Sequence, residues 1–228
     1  DDVSHIISGM NIGGVKDYFL SKERKDNTYH KGIFSGNIFR YSIEYPNSVQ
    51  TRNARNNYIR FDKKIEKYIW DNKIGTPSIG SDDGKFIQDK LLLRRPLTGD
   101  GKLAAAFSDN PDHYSDVTVY IINETKLPLK YLLGIINSKL ATWYCQSTGI
   151  IRFKKGQQPQ ITINKMKLFP VKVGKEVTIK EIIDLVNLRS VESDPEKIYA
   201  LEEKIDSTIF KLYDLSAEEI KIIENTIA

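Results

Sequence analysis

The residues of this chain best placed to do chemistry are Asp112, Glu124 and Lys126. Pro111-Asp112, a β-type run over residues 117–122 and then Glu124-Thr125-Lys126 follow the order P-D…E-x-K. In such a site two carboxylates hold Mg²⁺ while the lysine helps position a water for attack on a phosphodiester. Both pieces are short enough to co-occur by chance in a charged chain, so a Mg²⁺-dependent nuclease stands as an alternative, one that cleavage surviving Asp112→Ala would remove. Other catalytic chemistry lacks its residues. His5, His30 and His113 share no ligand spacing with one another or with Cys145, which argues against zinc. No G-x-S-x-G or Cys-His arrangement points to acyl transfer.

A second set of residues suits binding rather than catalysis. Residues 149–160 hold Arg152, Lys154, Lys155, Gln157, Gln158 and Gln160 around Gly156. Arg and Lys match phosphate and guanine O6/N7, and Gln matches adenine N6/N7, although an ordinary polar surface loop uses the same residues. Arg94 and Arg95 end a β-type run. Consecutive strand residues point to opposite faces, so one of the two is expected to face a ligand and the other a carboxylate or solvent. The segment 98–102, T-G-D-G-K, has two glycines that permit a tight turn and close approach to phosphate, which makes Lys102 a candidate beside the plain hairpin-turn reading. Arg40 is the remaining candidate, with Tyr41 as suited to the core as to contact.

The charge distribution agrees with a polyanionic partner. Residues 171–228 carry 8 Lys/Arg against 13 Asp/Glu, leaving 26 against 17 in residues 1–170, so the net +4 conceals a basic first part and an acidic tail. A basic lobe gives non-specific, salt-dependent affinity for duplex DNA, and also simple solubility. The single cysteine, Cys145, cannot form an internal disulfide, and with no charged-then-apolar leader a reducing cytoplasm is expected. No apolar run approaches the roughly 20 residues that span a bilayer. The chain opens at Asp1 with a strand-like segment at once, and we expect it to be a piece of a longer polypeptide.

Positioning these residues requires strands first and helices afterwards. Runs of β type at 15–20, 37–45, 58–61, 90–95, 103–107 and 117–122 alternate with Gly, Asn, Asp and Pro clusters. A helix over 63–70 carries Lys63, Lys64 and Lys67, after the Arg/Asn-rich stretch 51–57; this basic face lies along a nucleic-acid backbone or simply faces solvent. From residue 174 the pattern turns helical. Ile179, Ile182, Ile183, Leu185 and Val186 make one apolar face, and Asp194-Pro195 caps a second helix with Ile198, Leu201, Ile205, Ile209 and Leu212. Ser216 with Glu219 forms a capping box for a third. The stripe 198–212 covers only about two heptads, so packing on the chain's own core is expected over a coiled-coil seam. The expected fold is α+β: an irregular, mainly antiparallel β lobe over residues 1–173, braced by a helical region over 174–228.

Five segments in order resemble the TaqI-like C-terminal specificity domain of restriction-modification enzymes and adenine-specific DNA methyltransferases. They are I-S-G-M-N-I-G-G-V-K-D-Y-F-L; G-I-F-S-G-N-I-F-R-Y, with Asn37 where aspartate is commoner; K-L-L-L-R-R-P with L-A-A-A-F; L-L-G-I-I-N-S-K-L-A-T-W-Y through the basic loop to P-Q-I-T-I-N-K-M-K-L-F-P; and F-K-L-Y-D-L-S-A-E-E-I-K-I-I-E. The resemblance implies a non-catalytic domain that chooses a double-stranded DNA sequence for a methyltransferase domain of the same polypeptide. Its DNA-facing loops would carry Arg40, Arg94, Arg95, Lys102, Arg152, Lys154, Lys155, Gln157 and Gln158, with Asn137-Ser138-Lys139 at a turn of an apolar helix over residues 132–144 and Trp143 and Tyr144 in the core. S-adenosylmethionine, and Mg²⁺ if the polypeptide also cleaves DNA, would be bound elsewhere on the polypeptide. Consistently, Asn110-Pro111-Asp112-His113 is not the base-holding tetrapeptide of an adenine methyltransferase, and Gly9, Gly13 and Gly14 make no dinucleotide fingerprint. A protein-interaction module remains the non-DNA alternative.

Overall fold

Leu91, Leu92 and Leu93 are consecutive and all fully buried, which a strand achieves only when both its faces are covered. That condition organises the fold. The computed structural model describes residues 5–45 and 57–227, so of the stretch 51–57 only Asn57 lies among the described residues. In chain order the elements are β1 (Ile6–Ser8), α1 (Lys16–Phe19), β2 (Leu20–Ser21), β3 (Tyr29–Ile33), β4 (Ile38–Phe39), β5 (Ser42–Ile43), β6 (Tyr58–Arg60), α2 (Lys63–Asp71), α3 (Gly84–Ile87) and β7 (Lys90–Arg94). There follow β8 (Ala105–Ser108), β9 (His113–Ser115), β10 (Val119–Ile122), α4 (Leu129–Ile136), α5 (Lys139–Ser147), β11 (Ile151–Arg152), β12 (Gln160–Ile161), α6 (Ile163–Met166), α7 (Glu176–Val191), α8 (Pro195–Leu212) and α9 (Ala217–Ile227). None of the described helices is long and apolar enough to cross a membrane. The architecture is α+β.

The central sheet has the antiparallel order β1-β10-β7-β8, with Leu92 opposite Ile121 and Leu93 opposite Ala105. One face, with Ile6, Leu91, Leu93, Tyr120 and Ile122, packs on the helices. The other, with Leu92, Ala106, Val119 and Ile121, packs on the sheet β2-β6-β3-β9, in which β3 and β9 run parallel. The two sheets meet where the chain leaving β1 crosses the end of β9. Met10 N–H donates to Ser115 O at 2.8 Å, Val117 N–H donates to Met10 O at 3.0 Å, and a Cβ on Gly9 would lie 2.1 Å from Asp116 O.

The helices form one layer with the sheet. Six successive residues of α4, Tyr131 to Ile136, are buried, and a Cβ on Gly134 would lie 2.7 Å from Ile182 of α7. The stripe on α8 packs inside the chain, with Leu201, Ile205, Ile209 and Leu212 in the same core as Leu91 and Tyr131. Caps form as their residue types dictate. Asp194 accepts from Glu196 and Lys197 N–H at 2.9 and 3.2 Å, and Ser216 N–H donates to Glu219 at 2.8 Å.

Three local expectations are corrected. Residues 15–20 are not a strand but α1 followed by β2; Val15 and Phe19 are buried while Lys16, Asp17 and Tyr18 are exposed, a spacing of four rather than two. Residues 37–45 fold back on themselves as β4 and β5 around Arg40-Tyr41, with Tyr41 in the left-handed region at φ 69°. The apolar stretch 132–144 is two helices, broken where Asn137 leaves α4 and Ser138 caps α5 by accepting from Ala141 N–H at 3.0 Å.

Two outcomes test this account. Gly9→Ala forces a backbone clash and should destabilise the protein by about 3 kcal/mol or more, whereas Gly13→Ala, whose Cβ would find only Asn11 at 3.5 Å, should be nearly neutral by urea titration. Asp206 of α8 is 2% exposed, and burial raises its carboxyl from 3.8 to about 6 against the lowering effects of the Lys139 N–H and Arg40. The folded protein therefore holds this proton where the unfolded chain has released it, and the group's contribution to stability falls as pH rises between those two values. Asp206→Asn should remove that loss, so its stability gains on the parent across this window; parallel curves would contradict the buried-carboxyl account.

Candidate nucleic-acid interface

The two basic loops, about fifty residues apart in the chain, are joined into one surface by backbone hydrogen bonds. Beyond β7, Arg95 O accepts from Ile161 N–H at 2.9 Å, and Leu97 N–H donates to Pro159 O at 3.0 Å. The β11–β12 hairpin, with Ile151 opposite Ile161 and Arg152 opposite Gln160, thus extends from the end of the central sheet. Side chains complete the clasp. Gln158 Nε2 donates to Leu97 O at 2.8 Å, and Tyr120 Oη donates to Ile161 O at 3.1 Å. The neighbouring turn closes through Thr98 Oγ1 donating to Lys102 O at 2.8 Å, has Gly101 at φ 78°, and is held to α5 by Gln146 Nε2 donating to Gly101 O at 3.3 Å.

The candidate residues fall into three environments. Arg152, Lys154, Lys155 and Gln157 are exposed, and among the described residues none of the three cations has a carboxylate partner. Gln158 is exposed too, but one of its amide protons is committed to the clasp. Arg94, Arg95 and Lys102 lie at the base of the hairpin, half-buried. Arg94 Nε donates to Pro96 O at 3.1 Å, and burial lowers its guanidinium pKa despite Asp100 nearby. Arg95 reaches Val117 O at 3.5 Å while its buried Nε has no partner, and Lys102 lies 3.5 Å from Asp100.

Arg40 is placed elsewhere, inside a charge network between the β4–β5 turn and the helices. Its Nη2 lies 3.2 Å from Glu202, whose other oxygen accepts from Arg189 Nε at 2.7 Å, and both guanidinium groups sit over the Tyr41 ring at 5.9 and 5.3 Å. Lys139 continues the network through Glu203 and, by its N–H, through Asp206 at 2.8 Å. Asn137 also turns inward: its Oδ1 accepts from Ala105 N–H at 2.8 Å and its Nδ2 donates to Ala105 O at 3.0 Å, as a strand partner would. Asn37 uses both ends of its amide, accepting from Phe34 N–H at 2.9 Å and donating to Glu44 O at 2.7 Å; an aspartate could not make the second bond. Trp143 and Tyr144 are half-buried against the core, Tyr144 edge-on to Phe169. On α2, Lys63 is tied to Glu66 and Gly80 O, Lys67 to Asp71, and Lys64 is exposed.

The P-D…E-x-K residues have separate partners. Asp112, before β9, pairs with Arg24 and with His30 at 3.0 Å, whereas Glu124, after β10, pairs with His5 at 3.0 Å. Among the described residues no group of three or more His, Cys, Asp or Glu is arranged to hold a metal ion. Sequence reasoning missed Phe153, 62% exposed just past β11, and the positioning roles of Tyr120 and Gln146. Phe153 was open to detection as the lone aromatic between Arg152 and Lys154. The other two depend on contacts across 41 and 45 residues.

A two-sided sheet, a helical brace and a clasped pair of basic loops make up the architecture that carries the candidate surface. Residues 31–171 match the TaqI-like C-terminal specificity domain, and the chain belongs to that family. It is 25% identical over 209 residues to a putative type II restriction enzyme and methyltransferase of Methanocaldococcus jannaschii, a match covering 89% of this chain and 16% of that protein. The chain therefore spans about a sixth of the length of this curated relative. Its fold is similar to that of the Type IIL restriction-modification enzyme MmeI, solved in complex with DNA, with a TM-score of 0.61 and 11% identity, covering 97% of this chain and 35% of that one.

Arg40→Ala should act on stability and not on DNA. Removing one partner of a buried pair leaves Glu202 and Asp206 under-compensated and should cost about 3–5 kcal/mol. A variant of parental stability with a reduced salt slope for duplex binding would overturn this placement.

Proposed function

We propose that this chain selects a DNA sequence for a restriction-modification polypeptide and performs no chemistry itself. The observation that carries the reading is the clasp between residues 95–97 and 158–161, from which the turn 98–102 and the loop 152–158 both leave the end of the sheet, and whose outer cations have no protein carboxylate to neutralise them. Unpaired Arg and Lys there meet phosphates and guanine edges, and Gln157 is free to meet adenine. Because the loops are bonded to the sheet, little conformational freedom remains to be lost on binding. Arg94, Arg95 and Lys102 set the base of this surface, where Lys102 and one of the two arginines take phosphate contacts at its margin.

The partners follow from the same reading. The duplex is presented to a methyltransferase domain of the same polypeptide, which would bind S-adenosylmethionine, with Mg²⁺ required only if that polypeptide also cleaves. The work belongs in the cytoplasm, and none of it calls on a membrane.

Selection from a random duplex library with the isolated chain at moderate salt should enrich a short motif. Arg152→Ala should relax choice at one or two positions of that motif, each wrong base pair otherwise costing about 1–3 kcal/mol. A Lys63/Lys64 double substitution should mostly lower the salt slope, with a smaller loss of stability from the Lys63 bonds to Glu66 and Gly80 O. Enrichment unchanged by Arg152→Ala would remove the hairpin from sequence reading, and salt-insensitive protein binding without duplex affinity would favour the interaction-module reading.

A further inference from the structure

Phe153 has no role in the fold. It is 62% exposed beside the Arg152–Gln160 pair, while Ile151 and Ile161 behind it are buried. Its neighbours Arg152, Lys154 and Lys155 are exposed, and residues 149–161 contain no Asp or Glu. A large ring just past the β11 strand of an acid-free cationic hairpin is poorly matched to water. It is well matched to duplex DNA, where phosphates neutralise the cations and a base offers a flat apolar face.

We propose that Phe153 is a wedge that inserts at a base step of the bound duplex, unstacks it and bends the DNA; the inference rests on the DNA-recognition reading above. The hairpin has the stiffness this requires. Ile161 is held by Arg95 O and by the Tyr120 hydroxyl, the Pro159 carbonyl by Leu97 N–H, and Arg152, next to the ring, pairs with Gln160, so Phe153 leaves a strand anchored to the central sheet rather than a free loop. The cations on either side of the ring fix its register on the backbone, and the cost of deforming the step then depends on which bases form it, adding discrimination at positions no polar side chain touches.

The test uses duplexes carrying the motif enriched in the selection, with 2-aminopurine scanned through it and a donor–acceptor dye pair at the ends. Binding of the parent chain should raise 2-aminopurine fluorescence at one step and shorten the end-to-end distance. Phe153→Ala should lose both signals and bind about tenfold more weakly, at an unchanged salt slope, while Phe153→Trp should keep them. Since the ring is exposed, both variants should fold as the parent does. Parental affinity, fluorescence and bend in Phe153→Ala would overturn the wedge and leave sequence recognition standing. Failure of the parent chain to bind duplex at all would overturn the recognition reading, and the wedge with it.

Discussion

The exchange of hydrogen bonds between residues 95–97 and 159–161 is the constraint on which the candidate surface depends. A loop of a dozen residues carrying Arg, Lys and Gln is by itself only a charged, mobile segment, since ordering each residue costs about 1–2 kcal/mol. Pairing Ile161 N–H with Arg95 O and Leu97 N–H with Pro159 O transfers the rigidity of β7 to the hairpin. β7 is rigid because Leu91, Leu92 and Leu93 are buried from both sides. The central sheet thus serves as a mount for the loops at its end.

Charge is sorted by the same architecture. Buried cations are used up within the protein: Lys90, fully buried, donates to the carbonyls of Phe86, Gln88 and Asn110, and burial pulls its ammonium down to about 8. Arg40, Arg189 and Lys139 neutralise Glu202, Glu203 and Asp206 where α8 meets the β4–β5 turn. Such buried pairs contribute little net stability, but each becomes costly when one member is removed. The cations left for a polyanion are those that the fold does not consume, and the hairpin 152–158 holds three of them together.

Legibility in the sequence followed the range of the interactions. The C-terminal helices were readable because apolar spacing and caps such as Asp194-Pro195 and Ser216/Glu219 are local. Runs such as K-L-L-L-R were readable as strands from their composition. α1 was not, because one buried turn, Val15 to Phe19, is too short to display a helical period. Arg40 was misplaced for a different reason: an arginine in a basic lobe looks solvent-facing until Glu202, far along the chain, is brought against it. The loops 98–102 and 152–160 were each recognisable as candidates, but their union was not, because it rests on backbone groups that side-chain types do not specify.

Amide hydrogen exchange of the chain with and without the selected duplex tests the central claim most directly. The account predicts that residues 97–102 and 152–160 are slowed together on binding, with α7, α8 and α9 unchanged. Slowing confined to α2 or to the β2-β6-β3 sheet, with both loops exchanging as in the free chain, would contradict it.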